Sequence, residues 1–95
     1  MYIGFKSVAS SSAVKTAADL ATIPAKATSV ELQAVTNHIS LTMDNATDPT
    51  ATAGMLLLTT SPPKEFLIED LLRIRFIQVT GAGVLNCHFL AGRDV

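Results

Sequence analysis

Three side chains of this 95-residue sequence are soft metal ligands: His38, Cys87 and His88. A zinc site needs three or four such ligands that converge on one ion. Cys87 and His88 are adjacent in a segment with strand-like alternation, so they point to opposite faces of one strand. We therefore predict no metal site, and we expect Cys87 on the core side of its strand, with His88 exposed or at a subunit contact.

The sequence has no spacing that indicates a catalytic group. It lacks the GxSxG turn of serine hydrolases, a glycine-rich phosphate loop ending in Lys-Ser or Lys-Thr, the HExxH helix of metalloproteases and the EF-hand loop. Small all-β domains also seldom enclose a catalytic cleft. The prediction is a protein that is not an enzyme and that uses no cofactor.

An oxygen-rich segment, DNATDPTATAG, occupies residues 44–54. Asp44, Asn45, Thr47 and Asp48 could in principle bind calcium, but the EF-hand spacing and its closing glutamate are missing. Asx turns are the commoner role of such residues. Because the segment has no large apolar side chain, we predict a long surface loop.

Two arginines are the remaining chemical feature. Arg73 and Arg75 lie two residues apart and so share one face of a predicted strand. We expect a solvated face on which they pair with Glu65, Glu69 or Asp70. Contact with phosphate or with a partner protein is the alternative.

The elements that must position these side chains are short β-strands. Apolar and polar residues alternate in several segments separated by turn residues, as is typical of antiparallel sheets. Segments 29–35 and 38–43 predict one hairpin, and segments 72–79 and 84–90 predict a second. Further strands are predicted at 19–23, at 55–60, where the strand is mostly buried, and at 65–69. The fold class is therefore all-β: a small antiparallel β-sandwich or jelly-roll-like barrel of seven or eight short strands.

Residues 1–95 are predicted to form a single β domain, whose N-terminal part has two interpretations. Tyr2, Ile3 and Phe5 alternate as in a strand and could begin the sandwich. Alternatively, residues 1–18 form an N-terminal arm or tether, with the serines at 10–12 as its hinge.

Composition excludes several classes of function. With 48% hydrophobic and 16% charged residues the chain is too apolar to be disordered. Seven basic against eight acidic residues give a net charge of −1, which argues against nucleic acid as a ligand. No apolar run approaches the ~20 residues of a membrane span, so we expect no membrane partner. The single cysteine fits a protein assembled in a reducing cytoplasm.

Apolar side chains are more numerous than one thin core can bury. Besides the N-terminal Tyr2, Ile3 and Phe5, the candidates for exposure include Ile77 and Val79. Extended apolar patches usually mark interfaces. We therefore expect oligomerisation or docking on a larger surface.

The order of features resembles a known group of proteins. The segments are IPAKAT at 23–28, VELQAVTNHISLTMD at 30–44, DPTATAGMLL at 48–57 and LLRIRFIQVTGAGVLNCHFL at 71–90. Over about residues 19–90 they resemble the small β-sandwich virion structural proteins of tailed bacteriophages. In that group a proline-containing loop leads into a strand pair, a polar turn precedes an apolar strand, and a glycine-containing reversal ends the domain.

The resemblance implies a capsid decoration (cement) protein. Such a protein binds the major capsid protein on the outside of the head shell, bridges capsomers as a homotrimer, and is assembled in the host cytoplasm before it resides on the virion. A receptor- or carbohydrate-binding head-fibre or tail component is the alternative, although the chain has no tryptophan and one tyrosine. The candidate capsid or subunit contacts are Tyr2, Ile3, Phe5, Arg73, Arg75, Ile77 and Val79.

Overall fold

The computed structural model describes residues 1–20 and 23–92, and in them eight strands form nearly all of the regular structure. A 3₁₀ turn at Ala17–Leu20 and a one-turn helix, α1, at Ile68–Leu71 complete it. The strands are β1 Tyr2–Ala9, β2 Lys15–Thr16, β3 Ser29–Val35, β4 Ile39–Thr42, β5 Met55–Leu57, β6 Lys64–Leu67, β7 Arg75–Gln78 and β8 Val84–Leu90.

The strands form two four-stranded antiparallel sheets. The first sheet has the order β1-β8-β3-β6 and the second has the order β2-β7-β4-β5. These two strand orders together are those of an eight-stranded jelly roll. The predicted fold class, an all-β antiparallel sandwich, is confirmed.

Both predicted hairpins are wrong, because their strands lie in different sheets. β3 belongs to the first sheet and β4 to the second, and β7 and β8 are divided in the same way. Alternation of apolar residues shows only which side of a strand faces the core. Two strands on opposite sides of that core have the same pattern as two paired strands, so the pattern alone predicted the commoner local pairing.

The two short crossovers pack against each other at one end of the sandwich. Thr36 adopts a positive φ of 75°, and the Asn37 side chain donates a hydrogen bond to the Ala82 carbonyl over 3.0 Å. A Cβ on Gly83 would lie 2.4 Å from the Asn37 carbonyl oxygen. Glycine is therefore required at position 83 by the close approach of two backbones.

The core lies between the sheets and is built from alternate residues of their strands. Cys87 is fully buried on the core side of β8, as predicted, and His88 points away from it. Three further core residues, Leu20, Leu71 and Ile74, come from turns outside the strands. The strand residues of the apolar core cluster are Val30, Leu32, Ala34, Ile39, Leu41, Leu57, Phe76, Leu85, Cys87 and Phe89.

Four predicted strands differ from the structure in extent or in kind. The strand at 55–60 is shorter and less buried than predicted, because β5 is an edge strand: Met55 and Leu56 are 44% and 43% exposed. The strand at 65–69 ends at Leu67, where α1 begins, and the strand at 72–79 is reduced to β7. Ile68, Leu71 and Ile74 recur every three residues, which suits a turn of helix packed on the core better than a strand. The prediction for 19–23 is wrong at Asp19 and Leu20, which lie in the 3₁₀ turn; positions 21 and 22 lie outside the described residues.

The N-terminal segment lies within the sandwich instead of forming an arm. β1 pairs along its length with β8, with a bulge between Tyr2 and Gly4. The predicted serine hinge is wrong: Ser10 is buried, its hydroxyl accepts the Gly83 N–H at 2.9 Å, and its N–H donates to the Gly83 carbonyl. A side chain that replaces the ladder hydrogen bonds at the end of a strand anchors the chain there.

A candidate binding face on the first sheet

Part of the outer face of the second sheet, around Ser40 on β4, is covered by the chain itself. The loop between β4 and β5 folds back over it, and the buried Ser40 hydroxyl donates a hydrogen bond to the Ala53 carbonyl. Pro49, a residue of this loop, is fully buried, although the sequence predicted no buried residue there. A Cβ on Gly54, whose φ is 138°, would lie 2.6 Å from the Ser40 hydroxyl. The predicted loop at 44–54 is therefore confirmed, and it serves as a cover.

Arg75 holds this loop in place by hydrogen bonds. Its guanidinium donates to Asp48 at 2.7 Å and to the carbonyl oxygens of Ala46 and Asn45 at 3.2 and 3.1 Å. The expected pairing of Arg75 with Glu65, Glu69 or Asp70 is therefore wrong. The reason is that the loop, which is distant in sequence, returns over the start of β7, and nothing in the strand's own alternation indicates this.

Asp44 shapes the loop from its other end. Its carboxylate accepts hydrogen bonds from the Thr47 hydroxyl and from the backbone N–H groups of Thr47 and Ala46. These bonds, the Thr47 hydroxyl first, lower the pKa of Asp44 from 3.8 to about 2. The Asx-turn interpretation of this segment is confirmed.

The outer face of the first sheet carries four side chains in one row across all four strands. Phe5 on β1 is in register with His88 on β8, which is in register with Glu31 on β3 and then with Glu65 on β6. Residues in register on one face lie within contact distance of their neighbours. The row therefore joins an aromatic end at Phe5 to a carboxylate end at Glu31 and Glu65.

Tyr2 adds a second ring to this row. Its ring meets the His88 ring edge-on, with centroids 5.6 Å apart and an angle of 72°, while the Phe5 ring lies 4.6 Å from His88. The Tyr2 hydroxyl donates a hydrogen bond to Glu31 Oε1. Tyr2 and Phe5 are nevertheless 60% and 54% exposed. We call this surface, formed by Tyr2, Phe5, His88, Glu31, Gln33 and Glu65, the aromatic face.

Two shallow cavities indent the first sheet beside this row. One, of about 390 Å³, is lined by Tyr2, Glu31, Gln33, Pro63 and His88. The other, of about 340 Å³, is lined by Ser29, Glu65, Phe66 and Leu67. Each cavity contains one aromatic side chain of Phe or Tyr and one carboxylate, and among the described residues neither is lined by lysine or arginine. They adjoin, because Glu31 and Glu65 are partners in the strand register.

A buried hydroxyl belongs to the second cavity. Ser29 is 1% exposed, and its Oγ has no hydrogen-bond partner among the described residues. A buried polar atom without a partner costs about 1–3 kcal/mol. Ser29 Oγ is therefore an unsatisfied polar atom in a residue that lines this cavity.

The predicted contact residues fall on separate surfaces. Tyr2 and Phe5 come together on the aromatic face, and the neighbouring Ile3 packs against the core. Arg75 and Ile77 lie on the outward side of β7, in the other sheet. The remaining two lie outside the strands: Arg73 in the turn after α1, where it is exposed, and Val79 just after β7, where it is half-buried.

Sequence reasoning missed most of the polar half of the aromatic face. Alternation placed Glu31 and Gln33 on the solvent side of their strand and His88 outside the core, which the structure confirms. What it lacked was the strand order, which alone brings β3 next to β8 and sets Glu31 beside His88.

The three soft ligands remain apart. His38 Nδ1 accepts the Thr59 N–H at 3.0 Å, Cys87 is in the core, and His88 lies on the aromatic face. In residues 1–20 and 23–92, no three or more His, Cys, Asp or Glu side chains are grouped so that they could hold a metal ion. Over the same ranges the structure contains no helix with the length and apolar character needed to span a bilayer.

Comparison with known proteins leaves the family open. No protein-family model matches the chain, and searches of curated proteins and of solved structures found no similar protein.

Proposed function

We propose that the protein is a non-enzymatic virion structural protein, a capsid decoration protein of a tailed bacteriophage. In this proposal it is assembled in the host cytoplasm and binds the major capsid protein on the outside of the head shell. It bridges capsomers as a homotrimer. The aromatic face is the surface that meets the shell.

The observation that carries the proposal is the difference between the two outer faces. On the second sheet, the loop between β4 and β5 covers the outer face at Ser40 and is held by Arg75 and by the buried Pro49, while Leu56 at the edge stays 43% exposed. The first sheet leaves Tyr2 and Phe5, on its edge strand β1, more than half exposed beside the polar side chains of His88 and Glu31. Exposed aromatic residues surrounded by polar groups are typical of protein interfaces.

The fold and the resemblance support the same class. Jelly rolls occur in viral capsid proteins and in lectins, so the strand order is compatible with a virion role while leaving the function open. The resemblance of residues 19–90 to phage virion proteins favours the capsid over the other jelly-roll functions. Trimeric attachment suits shallow cavities, because three weak contacts on one particle act together.

Light scattering and sedimentation test the proposal together. The purified protein should have a mass of about three times 10.0 kDa, and it should co-sediment with head shells assembled from the same phage's major capsid protein without it. Phe5→Ser should abolish co-sedimentation. The matched control is Leu56→Ser, which changes a similarly exposed residue on the edge of the second sheet. A 10 kDa monomer that stays in the supernatant contradicts the proposal.

One observation favours a second candidate, a receptor- or carbohydrate-binding head-fibre or tail component. The structure brings Tyr2, Phe5 and His88 into one cluster next to Glu31 and Gln33. Exposed rings beside carboxylate and amide groups are suited to the apolar faces and hydroxyl groups of a neutral sugar. Binding of neutral glycans by a protein that ignores head shells would support this candidate.

A further inference from the structure

We infer that the aromatic face binds an arginine side chain of its protein partner, with the guanidinium held between the Glu31 carboxylate and the rings of Tyr2 and Phe5. The inference rests on the proposed function in one respect: it takes this face as the docking surface. It adds the chemistry that the partner must present.

Charge is the first reason. The Glu31 carboxylate lies on the outer side of β3, in register with His88. The basic residues of the flanking strands do not share this face: Lys6 is in register with Cys87, and Lys64 with Leu32, both of which are core residues. Side chains in register leave the sheet on the same side. Glu31 therefore presents a carboxylate to which a cationic ligand is complementary.

The aromatic rings are the second reason. Tyr2 and Phe5 are both on β1, and their rings contact the same His88 imidazole on β8, that of Tyr2 edge-on. Both rings retain more than half of their exposure, so they remain accessible to a ligand. A cation within about 6 Å of a ring centroid is attracted by the electrons of the ring face. Carboxylate and aromatic groups thus recognise the same ligand charge.

The arrangement favours arginine over lysine. The hydrogen bond from the Tyr2 hydroxyl holds Glu31 Oε1 in place and so orients the carboxylate before a ligand arrives. A planar guanidinium can stack on a ring while its edge donates to a fixed carboxylate, whereas the ammonium of lysine is a compact, strongly hydrated charge. The preorganised carboxylate also reduces the entropy lost on binding.

A titration with small probes tests this inference on the intact protein. The probe is N-acetyl-arginine amide, followed in ¹H–¹⁵N NMR spectra, and the matched control probe is the citrulline amide, which has nearly the same shape without the charge. We expect arginine to shift the amide signals of Glu31, Gln33 and His88 with a dissociation constant of about 1–10 mM. Citrulline should bind at least about tenfold more weakly. Equal shifts with both probes, or none with arginine, would overturn the inference.

Variants locate the site. Glu31→Gln should weaken arginine binding about tenfold or more, since it removes the charge from the hydrogen-bond acceptor. Glu69→Gln, an exposed acid on α1, is the matched control and should leave binding unchanged. Shifts on this face with methyl glucoside and not with arginine amide would assign the face to sugars and would also overturn the inference.

Failure of the arginine-binding test can be distinguished from failure of the proposed function. Co-sedimentation with head shells decides whether the protein decorates capsids, whatever the small probes do. Shells that bind while arginine amide does not would leave the decoration proposal in place and reject only the arginine chemistry. If the inference holds, shell binding should in addition be weakened by Glu31→Gln and not by Glu69→Gln.

Discussion

The hydroxyl of Tyr2 donates a hydrogen bond to Glu31 Oε1, 2.5 Å away, although strand β8 lies between the strands that carry the two residues. The tyrosine side chain reaches across β8 by passing over His88, whose ring it meets edge-on. A single side chain therefore connects β1, β8 and β3 on the outer face of the first sheet. Such a connection orders the aromatic face before any partner binds.

The strength of this connection can be measured by a double-mutant cycle. Tyr2→Phe removes the donor and Glu31→Gln removes the charge of the acceptor, so each variant weakens the same bond. Because both residues are partly exposed, we expect a coupling free energy of at most about 1 kcal/mol in urea unfolding. A coupling near zero would show that the bond does not order the face in solution.

Substitution of Gly83 should lower the stability of the protein by a larger amount. A methyl group at this position would lie 2.4 Å from the carbonyl oxygen of Asn37, and backbone cannot move aside cheaply. Gly83→Ala should therefore lower the free energy of unfolding by about 2 kcal/mol or more. The matched control is Gly81→Ala, whose Cβ would lie 3.2 Å from the flexible Asn37 amide and should cost less than about 1 kcal/mol. Equal urea midpoints for the two variants would contradict the crossover packing.

Arg75 is predicted to hold the loop that covers the second sheet. Arg75→Lys keeps the charge but loses the planar fork that reaches Asp48 and two carbonyl oxygens. We expect hydrogen exchange of the loop amides, such as Thr47 and Ala53, to accelerate several-fold, and the unfolding free energy to fall by about 1–2 kcal/mol. Arg73→Lys, an exposed arginine in the preceding turn, is the control. Unchanged exchange in Arg75→Lys would show that the loop is held by other contacts.

Sequence reasoning predicted the faces of the strands better than their neighbours. Alternation correctly assigned Cys87 to the core and Glu31 to the outer side, because facing depends only on positions two apart. The pairing of strands depends instead on which connections carry the chain from one sheet to the other. The connection from β3 to β4 at Thr36 and Asn37 looks like a tight turn, yet its geometry carries the chain to the other sheet.

The candidate site was predictable only in part for the same reason. Tyr2 and Phe5 were predicted as contact residues because they are apolar residues in excess of the core. Their neighbours Glu31 and His88 lie 29 and 86 positions after Tyr2 in the sequence. Only the pairing of the strands brings these residues together. The cover formed by the 44–54 loop also depends on a distant residue, Arg75, and so could not be deduced from local sequence.

Asp44 should give the protein a measurable pH dependence in acid. Its folded-state pKa of about 2 lies below its ordinary value of 3.8, so the unfolded chain binds the proton more readily between these values. The stabilisation from Asp44 is therefore present above about pH 4 and is lost as the pH falls towards 2. An NMR titration of the Asp44 carboxyl carbon measures this pKa directly, and Thr47→Ala should raise it because the Thr47 hydroxyl is its strongest stabilising contact. A titration midpoint near 3.8 in the wild-type protein would contradict the observed Asx turn.

Cys87 should make the free energy of unfolding depend on pH at the alkaline end of the range. Burial raises the pKa of its thiol from 9.0 to about 12, because the thiolate is poorly stabilised in the apolar core. The folded thiol stays protonated above pH 9 while the unfolded thiol ionises, so the unfolding free energy should decline as the pH rises from 9 towards 12. The native protein should also react with a disulfide reagent at pH 8 only at the rate at which it opens, and urea should restore fast reaction. Cys87→Ser tests the pH effect, since the difference between its stability and that of the wild type should shrink above pH 9. Rapid labelling of the native protein would mean that β8 does not keep Cys87 within the core.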